Sequence, residues 1–457
     1  MRTPTFTRDG DDKAQLHKIT AIELARGNGG GASKTSHPAG QLPPDASAVL
    51  AGVAARQPVH SLGRTLSSLL SLAKPRLTVL VVLTAMASYA LYPVPAFLAP
   101  SALDTPSLSP LTLLFLTVGT TLCSSGANGL NMLYEARTDA LMSRTRARPL
   151  VRKLLTARAA VVFALGCGAL GTAALYVGVN PTVAALGAGN MVLYAAAYTP
   201  LKRVSVLNTW VGALVGAIPP LMGWAAAAGE TATDAADGGS WRALLLASDG
   251  SSLGGWLLAA LLFAWQFPHF MALSVGPAPE YRAAGLRMLA WTNPARNARV
   301  ALRYSLVFAP LCAALCAAGV TEWSFAATSL PVNAWLVREA VRFWQRTSGR
   351  HGAAAAARGL FWASVWHLPV VMVLALLQKK GMWGRIWRSV AGEAADADEE
   401  WEDEDQDQDE DERQRGDGAA GRMAERGEGW MEKKDEWIDG SVAGSAPPNP
   451  SHEKRKV

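Results

Sequence analysis

The sequence predicts an all-α, polytopic membrane protein. Half of its 457 residues are hydrophobic, and the mean hydropathy is +0.13. The apolar residues are concentrated between residues 74 and 380, in runs of about 20 residues, the length that an α-helix needs to cross a bilayer. These runs show almost no polar face, whereas the surface helices of a soluble protein are amphipathic. The pattern therefore excludes an ordinary soluble fold.

Nine apolar segments are candidate membrane-spanning helices. They are residues 77–98, 110–132, 157–177, 181–200, 207–228, 253–274, 301–320, 322–337 and 360–378. Lysine and arginine concentrate in the loops on one side of a membrane. With nine spans, the loops rich in these residues alternate with loops that carry mostly aspartate and glutamate. The alternation supports the count of nine and places the start of the first span on the positive side.

The formal net charge of +6 follows from this loop pattern. The basic residues are dispersed among loops rather than gathered in one patch, so we exclude nucleic acid as a partner. The four cysteines, Cys123, Cys167, Cys312 and Cys316, all lie in apolar segments, and no CxxC pair occurs. We interpret them as small buried side chains rather than as zinc ligands or as thiols that attach heme.

Polar segments flank the apolar core on both sides. Residues 1–73 contain no long apolar run, which argues against a secretory signal peptide. Their basic and hydroxyl residues fit a mitochondrial targeting arm, whereas Asp9, Asp11, Asp12 and Glu23 do not, so both interpretations stay open. We expect this extension to be largely disordered. Residues 381–457 contain an acidic run from Glu399 and are expected to form a charged, disordered tail.

Three oxygen-bearing side chains stand at the end of the second apolar segment, four residues apart. Asn131, Glu135 and Asp139 would share one face of a helix, because each step of four drifts only about 40° and rises about 6 Å. A solvated helix end would also explain the carboxylates, but ionisable groups beside a membrane helix are costly and usually functional. Mg²⁺ is held by one or two carboxylates together with substrate phosphate oxygens. We therefore predict a site for Mg²⁺ and a diphosphate along these three residues, which we call the ladder.

Basic residues that suit a diphosphate follow the ladder and the fourth apolar segment. They are Arg144, Arg148, Lys202 and Arg203. Arginine forks and lysine ammonium groups bind phosphate oxygens. The same residues satisfy the positive-inside rule, so charge alone does not separate anchoring from phosphate binding.

The sixth apolar segment contains the sequence WQFPHF, with Gln266 and His269. The proline between them is expected to kink or break the helix and to favour a cavity beside the histidine. Glu280 and Tyr281 follow in the next loop, and His367 is the second histidine within an apolar segment. Buried histidines are often hydrogen-bonded core residues, so the structural and the ligand-binding interpretations both remain.

Several of these motifs resemble one known family. The run NMLYEARTDALMSRTRARPLVR resembles the first acidic motif of the UbiA superfamily of intramembrane prenyltransferases. Most members have aspartates where this chain has Met132 and Glu135. YTPLKR, NTWVGALVGAIPPLMGW and WQFPHF are similar to the branch that transfers a farnesyl group to heme. The resemblance covers about residues 72–378, and the combination of motifs is more specific than any one of them.

The resemblance implies nine transmembrane helices around a central cavity and transfer of an isoprenoid from its diphosphate to an acceptor. It implies farnesyl diphosphate and heme b as substrates, heme O as the product and Mg²⁺ as the metal. Together with the long extensions, it also implies the mitochondrial inner membrane as the location, although a bacterial plasma membrane would fit the core equally. Heme A synthesis for cytochrome c oxidase is the implied destination of the product, with a heme A synthase as a partner.

The resemblance also implies roles for the candidate residues. Asn131, Glu135 and Asp139 would ligate Mg²⁺ and act in catalysis. From its place in the sixth apolar segment we add His269 to the catalytic candidates, as a contact for the heme iron or a propionate. The diphosphate would be held by Arg144, Arg148, Lys202 and Arg203. The further candidates around the acceptor are Gln266, Glu280, Tyr281 and His367.

Two other functions remain open at this point. The chain could prenylate a quinone or another aromatic acceptor. Quinone-pathway relatives carry a second aspartate-rich motif where this chain has His269 and Glu280, which argues against a phenolic acceptor. The alternative that is not an enzyme is a polytopic transporter with a binding site at the membrane midplane. Transporters usually contain internal repeats, and no persuasive repeat is present in this sequence.

Overall fold

The structure is a computed structural model that describes residues 46–93, 108–232, 240–347 and 352–383. Within these ranges the chain is helical, and one isolated bridge joins Thr321 to Lys379. The predicted all-α class is therefore confirmed. Residues 1–45 of the predicted targeting arm and the acidic run from Glu399 lie outside the described residues.

Sixteen α-helices follow one another along the described ranges. They are α1 Ala46–Ala55, α2 Leu62–Leu72, α3 Pro75–Leu91, α4 Pro110–Asp139, α5 Ala157–Gly178, α6 Pro181–Val192, α7 Thr199–Val204, α8 Asn208–Thr231, α9 Trp241–Leu245, α10 Leu253–Leu273, α11 Ala278–Ala283, α12 Leu289–Thr292, α13 Pro294–Ser305, α14 Phe308–Ala317, α15 Trp323–Thr347 and α16 Ala353–Leu377. A π-helical turn, Leu193–Tyr198, joins α6 to α7 without a break.

Six helical segments of the described chain are long and apolar enough to cross a membrane. They are α4, α5, α8, α10, the pair α13 and α14, and α16. A seventh span is counted if α2 and α3, which are bent by 55° to each other, act together. The polytopic prediction is confirmed, but the count of nine is not reached by this criterion. The π-helical turn divides the predicted span 181–200, and charged residues such as Arg338 and Glu339 lie in α15, beside the predicted span 322–337.

Residues 46–72 form α1 and α2, although we predicted them to be part of a largely disordered extension. Ser61 begins α2 by accepting a hydrogen bond from the N–H of Arg64. Ser47 and Ser71 each donate a hydroxyl hydrogen bond of 2.6 Å to the other's carbonyl oxygen. The structure differs from this expectation because the two helices, of 10 and 11 residues, are each too short to stand out as a long apolar run, yet they pack against each other.

Close packing against α5 orients α4. A Cβ atom at Gly126 of α4 would lie 2.7 Å from the carbonyl oxygen of Ala164, so only glycine permits this approach. The helix also continues past the predicted end at residue 132 to Asp139. All three ladder residues therefore lie on one helix whose rotation is set by its contact with α5.

The central helix of the bundle is α10, which packs against α8, α13 and α16. Phe267 is fully buried in this packing. Pro268 was expected to kink or break the helix, but α10 runs as one α-helix from Leu253 to Leu273, so no break occurs. His269 is consequently held on a rigid element inside the bundle.

Candidate active site

The ladder residues are buried together on one face of α4. The exposed fractions of Asn131, Glu135 and Asp139 are 1%, 7% and 4%. Spacing of four residues on a helix places them in a row, as the sequence predicted. Buried carboxylates are costly unless they are paired and hydrogen-bonded. In the structure, a basic side chain donates a hydrogen bond to each ladder residue, and these bonds offset the free-energy cost of burial.

Each ladder residue accepts a hydrogen bond from a different basic side chain. The Nζ atom of Lys202 lies 2.7 Å from Oε1 of Glu135. Arg148 donates to both carboxylate oxygens of Asp139, at 2.9 and 2.8 Å. The Nζ atom of Lys74 lies 2.6 Å from Oδ1 of Asn131. Three oxygen-bearing groups and three basic side chains thus form one compact polar centre.

Lys74 was not among the residues predicted for this site. It stands between α2 and α3, immediately before Pro75, and its φ of 50° is left-handed. A residue other than glycine rarely adopts this conformation, and such strain is concentrated at functional sites. Its ammonium also donates to the Tyr194 hydroxyl at 3.4 Å. In the sequence it looked like one of the basic residues that precede the first span, and only its position directly before a proline could have marked it.

Two neighbours hold the charge on Lys202. Its Nζ lies 4.5 Å from the ring centroid of Tyr198 and donates to Glu135. Burial by itself lowers the pKa of a lysine, but Tyr198 and the Glu135 carboxylate outweigh burial and raise the pKa of Lys202 above its usual value. The ammonium therefore remains protonated throughout the physiological range.

A cavity of about 350 Å³ opens beside the polar centre. This volume is within the range of small-molecule sites, which are mostly apolar with a few polar groups. Tyr194 and Tyr198 line it, and Tyr194 also contacts Lys74 of the polar centre. Leu77, Cys123 and Met222 are among its apolar lining residues. The arrangement suits a ligand with a charged head at the ladder and an apolar body inside the bundle.

His269 lines the same cavity, with Gln266 and Trp265. Its Nδ1 atom lies 3.0 Å from the Ser364 hydroxyl oxygen, and that hydroxyl donates to the Phe361 carbonyl at 2.6 Å. Because the serine hydrogen is already used, Nδ1 carries the histidine hydrogen and Nε2 keeps its lone pair. The Nε2 atom has no hydrogen-bond partner among the described residues, and a lone pair of this kind is able to bind a metal ion.

Gln266 ties two helices at the cavity wall. Its amide nitrogen donates to the Ala213 carbonyl at 2.9 Å and to the Leu262 carbonyl at 3.2 Å. The side chain fills the space beside Gly216, where a Cβ atom would meet the amide. The predicted cavity residue is therefore in the cavity and also joins α8 to α10.

Glu280 and Tyr281 do not line the cavity. The Glu280 carboxylate accepts from the N–H and the hydroxyl of Ser143, at 2.9 and 2.6 Å, and so joins α11 to the segment that follows α4. Tyr281 packs with Met142 and neighbouring apolar residues. Burial raises the pKa of the Tyr281 phenol, and the nearby Arg144 guanidinium opposes the rise. The Nε atom of Arg144 is buried and has no hydrogen-bond partner among the residues that the structure describes, so this guanidinium keeps a donor available.

Two further predicted residues lie away from the polar centre. Arg203 is exposed and stacks over the ring of Tyr134, 5.2 Å from its centroid, on the outer face of α4. His367 is fully buried and its Nε2 lies 2.8 Å from Oδ1 of Asn333, which matches the core interpretation of a histidine. The structure therefore gathers Arg148 and Lys202 at the ladder and leaves these two residues outside it.

Comparison with known proteins identifies the class. The UbiA prenyltransferase family model matches residues 92–365. A relative from Neurospora crassa, protoheme IX farnesyltransferase, mitochondrial, is 72% identical over 364 residues, which cover 79% of this chain and 70% of that protein. The chain therefore belongs to the UbiA prenyltransferase family and is an enzyme of the membrane, which sets the transporter alternative aside.

One solved structure supports the fold, and a second is more distantly similar. The first is described as structural and mechanistic insights into the biosynthesis of digeranylgeranylglyceryl phosphate synthase in membranes. It has a TM-score of 0.51 and 10% sequence identity, and the match covers 68% of this chain and 98% of that chain. It supports the fold alone. A UbiA homologue from Archaeoglobus fulgidus bound to DMAPP and Mg²⁺ has a TM-score of 0.44 and 14% identity over 66% of this chain and 96% of its own.

Proposed function

We propose that this enzyme transfers the farnesyl group of farnesyl diphosphate to a vinyl group of heme b and so makes heme O. The observation that carries the proposal is the polar centre of Asn131, Glu135 and Asp139 with its three basic side chains, placed at one end of a mostly apolar cavity. The relative that is 72% identical carries the name of this reaction. High identity across the span that contains the ladder and the cavity supports the same substrates.

The donor set of the ladder fits Mg²⁺. One amide oxygen and two carboxylates are the hard oxygen ligands that this ion prefers, with phosphate oxygens and water completing its coordination. Within the described residues there is no cluster of three or more His, Cys, Asp and Glu side chains, so a closed protein cage is not available. Bound at Asn131, Glu135 and Asp139, Mg²⁺ would neutralise charge on the diphosphate.

The three basic side chains bind and orient the diphosphate. Lys74, Lys202 and Arg148 donate to the ladder in the structure, and the same donors are within reach of an anion that arrives there. Arg144 adds a guanidinium with an unused donor. When the bond between the allylic carbon and the diphosphate oxygen breaks, the oxygen takes the electron pair, and these preorganised donors stabilise the charge that develops.

The cavity governs the fate of the farnesyl cation. Its apolar lining excludes water from the allylic carbon, while Tyr194 and Tyr198 face it with aromatic rings. The π electrons of a heme vinyl group form the new carbon–carbon bond, and water adds to the resulting cation with loss of one proton. The product is a hydroxyethylfarnesyl heme, and free diphosphate is released.

His269 positions the acceptor. Its Nε2 lone pair is available in the cavity because Ser364 holds Nδ1, so it is suited to bind the iron of heme b. The product is then a substrate for a heme A synthase. The relative's name places it in mitochondria, and the spanning helices of the described chain are consistent with a multi-pass protein of the mitochondrial inner membrane.

Mass spectrometry of extracted hemes tests the proposal. Membranes that carry the full chain are supplied with heme b and farnesyl diphosphate, with and without Mg²⁺. We expect a heme heavier by one farnesyl group and one hydroxyl group, formed only with Mg²⁺ and absent for Glu135→Gln. Diphosphate release without this heme, together with a prenylated quinone, would identify an aromatic acceptor instead and overturn the proposal.

A further inference from the structure

A basic groove lies between α8 and α13, apart from the cavity. It encloses about 650 Å³ and is lined by Arg296, Arg299 and Arg303, with Trp210 and Asn293 at its edges. The buried ring of Phe267 on α10 packs against Trp210 of this groove. None of the groove residues belongs to the ladder or to the cavity lining.

The three arginines share one face of α13. Their spacing of three and four residues brings them to the same side of the helix, while Ala298 and Ala301 on the opposite side are fully buried against the bundle. All three guanidiniums are exposed. The helix therefore presents a continuous row of positive charge toward the groove.

These arginines have no carboxylate partner within the described part of the chain. Other arginines do: Arg148 pairs with Asp139, and Arg342 pairs with Glu339. Three guanidiniums that converge on one concave surface repel one another, and an anion with several oxygens would relieve that repulsion. The charge of the groove thus selects an anionic ligand from outside the protein.

The surroundings select a lipid. The Trp210 indole donates to the Tyr304 hydroxyl at 3.1 Å, and aromatic pairs of this kind are typical of the membrane–water interface. Tyr304 stacks on Phe267, with 3.7 Å between ring centroids. Val307 continues the groove toward the interior of the membrane, along the segment Pro294–Ala317, which is apolar enough to span it. Charged guanidiniums beside an apolar part of the groove fit the headgroup and the acyl chains of a phospholipid better than they fit a small free anion.

We propose that this groove binds the headgroup of an anionic phospholipid. The phosphate oxygens contact Arg296, Arg299 and Arg303, and the acyl chains lie along Val307. Basic residues at the surface of a membrane each attract anionic lipid, and their convergence in one groove converts that general attraction into a site. The proposal does not depend on the identity of the prenyl acceptor.

Native mass spectrometry of the purified, delipidated full chain tests the site. The probes are phosphatidylglycerol, phosphatidylcholine and inorganic phosphate. We expect phosphatidylglycerol to bind at least about tenfold more tightly than phosphatidylcholine, and this preference to be lost in the variant Arg296→Gln, Arg299→Gln, Arg303→Gln. The matched control, Arg158→Gln, Arg282→Gln, Arg358→Gln, removes three exposed arginines outside the groove and should keep the preference.

Two other outcomes would contradict the proposal that the groove binds an anionic phospholipid. Equal losses in the two triple variants would show that general surface charge attracts the lipid. Competition by inorganic phosphate at the same concentration as the lipid would indicate a small-anion site. Circular dichroism and thermal unfolding of both variants ensure that a loss of binding is not a loss of fold, and single substitutions at each groove arginine replace the triple variant if it unfolds.

Discussion

The Lys74 ammonium lies 2.6 Å from Oδ1 of Asn131, although 57 positions separate the two residues. The contact is made at the 55° bend between α2 and α3, where the backbone of Lys74 is left-handed. The bend directs this side chain into the polar centre. Lys74 is therefore the residue through which the N-terminal helices take part in the candidate active site.

Replacing Lys74 with methionine should weaken use of the diphosphate substrate. Loss of one charge-assisted hydrogen bond corresponds to about a tenfold to hundredfold fall in kcat/KM for farnesyl diphosphate. Steady-state turnover at varied concentrations of farnesyl diphosphate measures this fall in kcat/KM. Arg76→Gln, two residues away and exposed, is the matched control and should retain full turnover. Unchanged kinetics for the methionine variant would remove Lys74 from the site.

Breaking the pair of Glu135 and Lys202 should destabilise the substrate-free protein. Glu135→Gln leaves a buried ammonium without its counter-charge, which costs about 3 kcal/mol. The double variant Glu135→Gln, Lys202→Met removes both charges and should recover much of this loss. Thermal unfolding in detergent of Glu135→Gln, of Lys202→Met and of the double variant completes a double-mutant cycle. Additive losses would mean that the two groups do not interact.

Removing the hydroxyl of Ser364 should disturb the His269 ring. Ser364→Ala takes away the acceptor that holds the hydrogen on Nδ1, so both tautomers of the histidine become accessible. If His269 binds the heme iron, the visible absorption spectrum of the bound heme should change and its affinity should fall about tenfold, while farnesyl diphosphate binding stays constant. An unchanged heme spectrum in both Ser364→Ala and His269→Ala would return the histidine to a structural role.

A methyl group at Gly126 should separate α4 from α5. Gly126→Ala places a Cβ atom 2.7 Å from the Ala164 carbonyl oxygen, and overpacking of this kind costs about 1–3 kcal/mol. Gly166→Ala on α5 is the control, because none of the described residues outside its own stretch of helix comes within 4 Å of the added Cβ. The free energy of unfolding in detergent should fall for the first variant alone. Equal free energies of unfolding for the two variants would show that α4 and α5 can move apart without a loss of stability.

The sequence predicted the local parts of the site well. The spacing of Asn131, Glu135 and Asp139 was enough to place them on one helical face, because the geometry of a single α-helix depends only on neighbouring residues. WQFPHF likewise placed Gln266 and His269 together, and both line the cavity. The break expected at Pro268 did not occur, since the packing of α10 inside the bundle keeps the helix continuous.

The sequence by itself determined that the chain is helical, that it crosses a membrane repeatedly, and that an acidic ladder stands at the end of one helix. Only the tertiary structure decided which cations meet that ladder. Lys74 and Lys202 reach it, whereas Arg203, the very next residue, points outward over Tyr134. The physical reason is that residues adjacent in a helix are about 100° apart around its axis, so the packing of whole helices selects which of them enters the site.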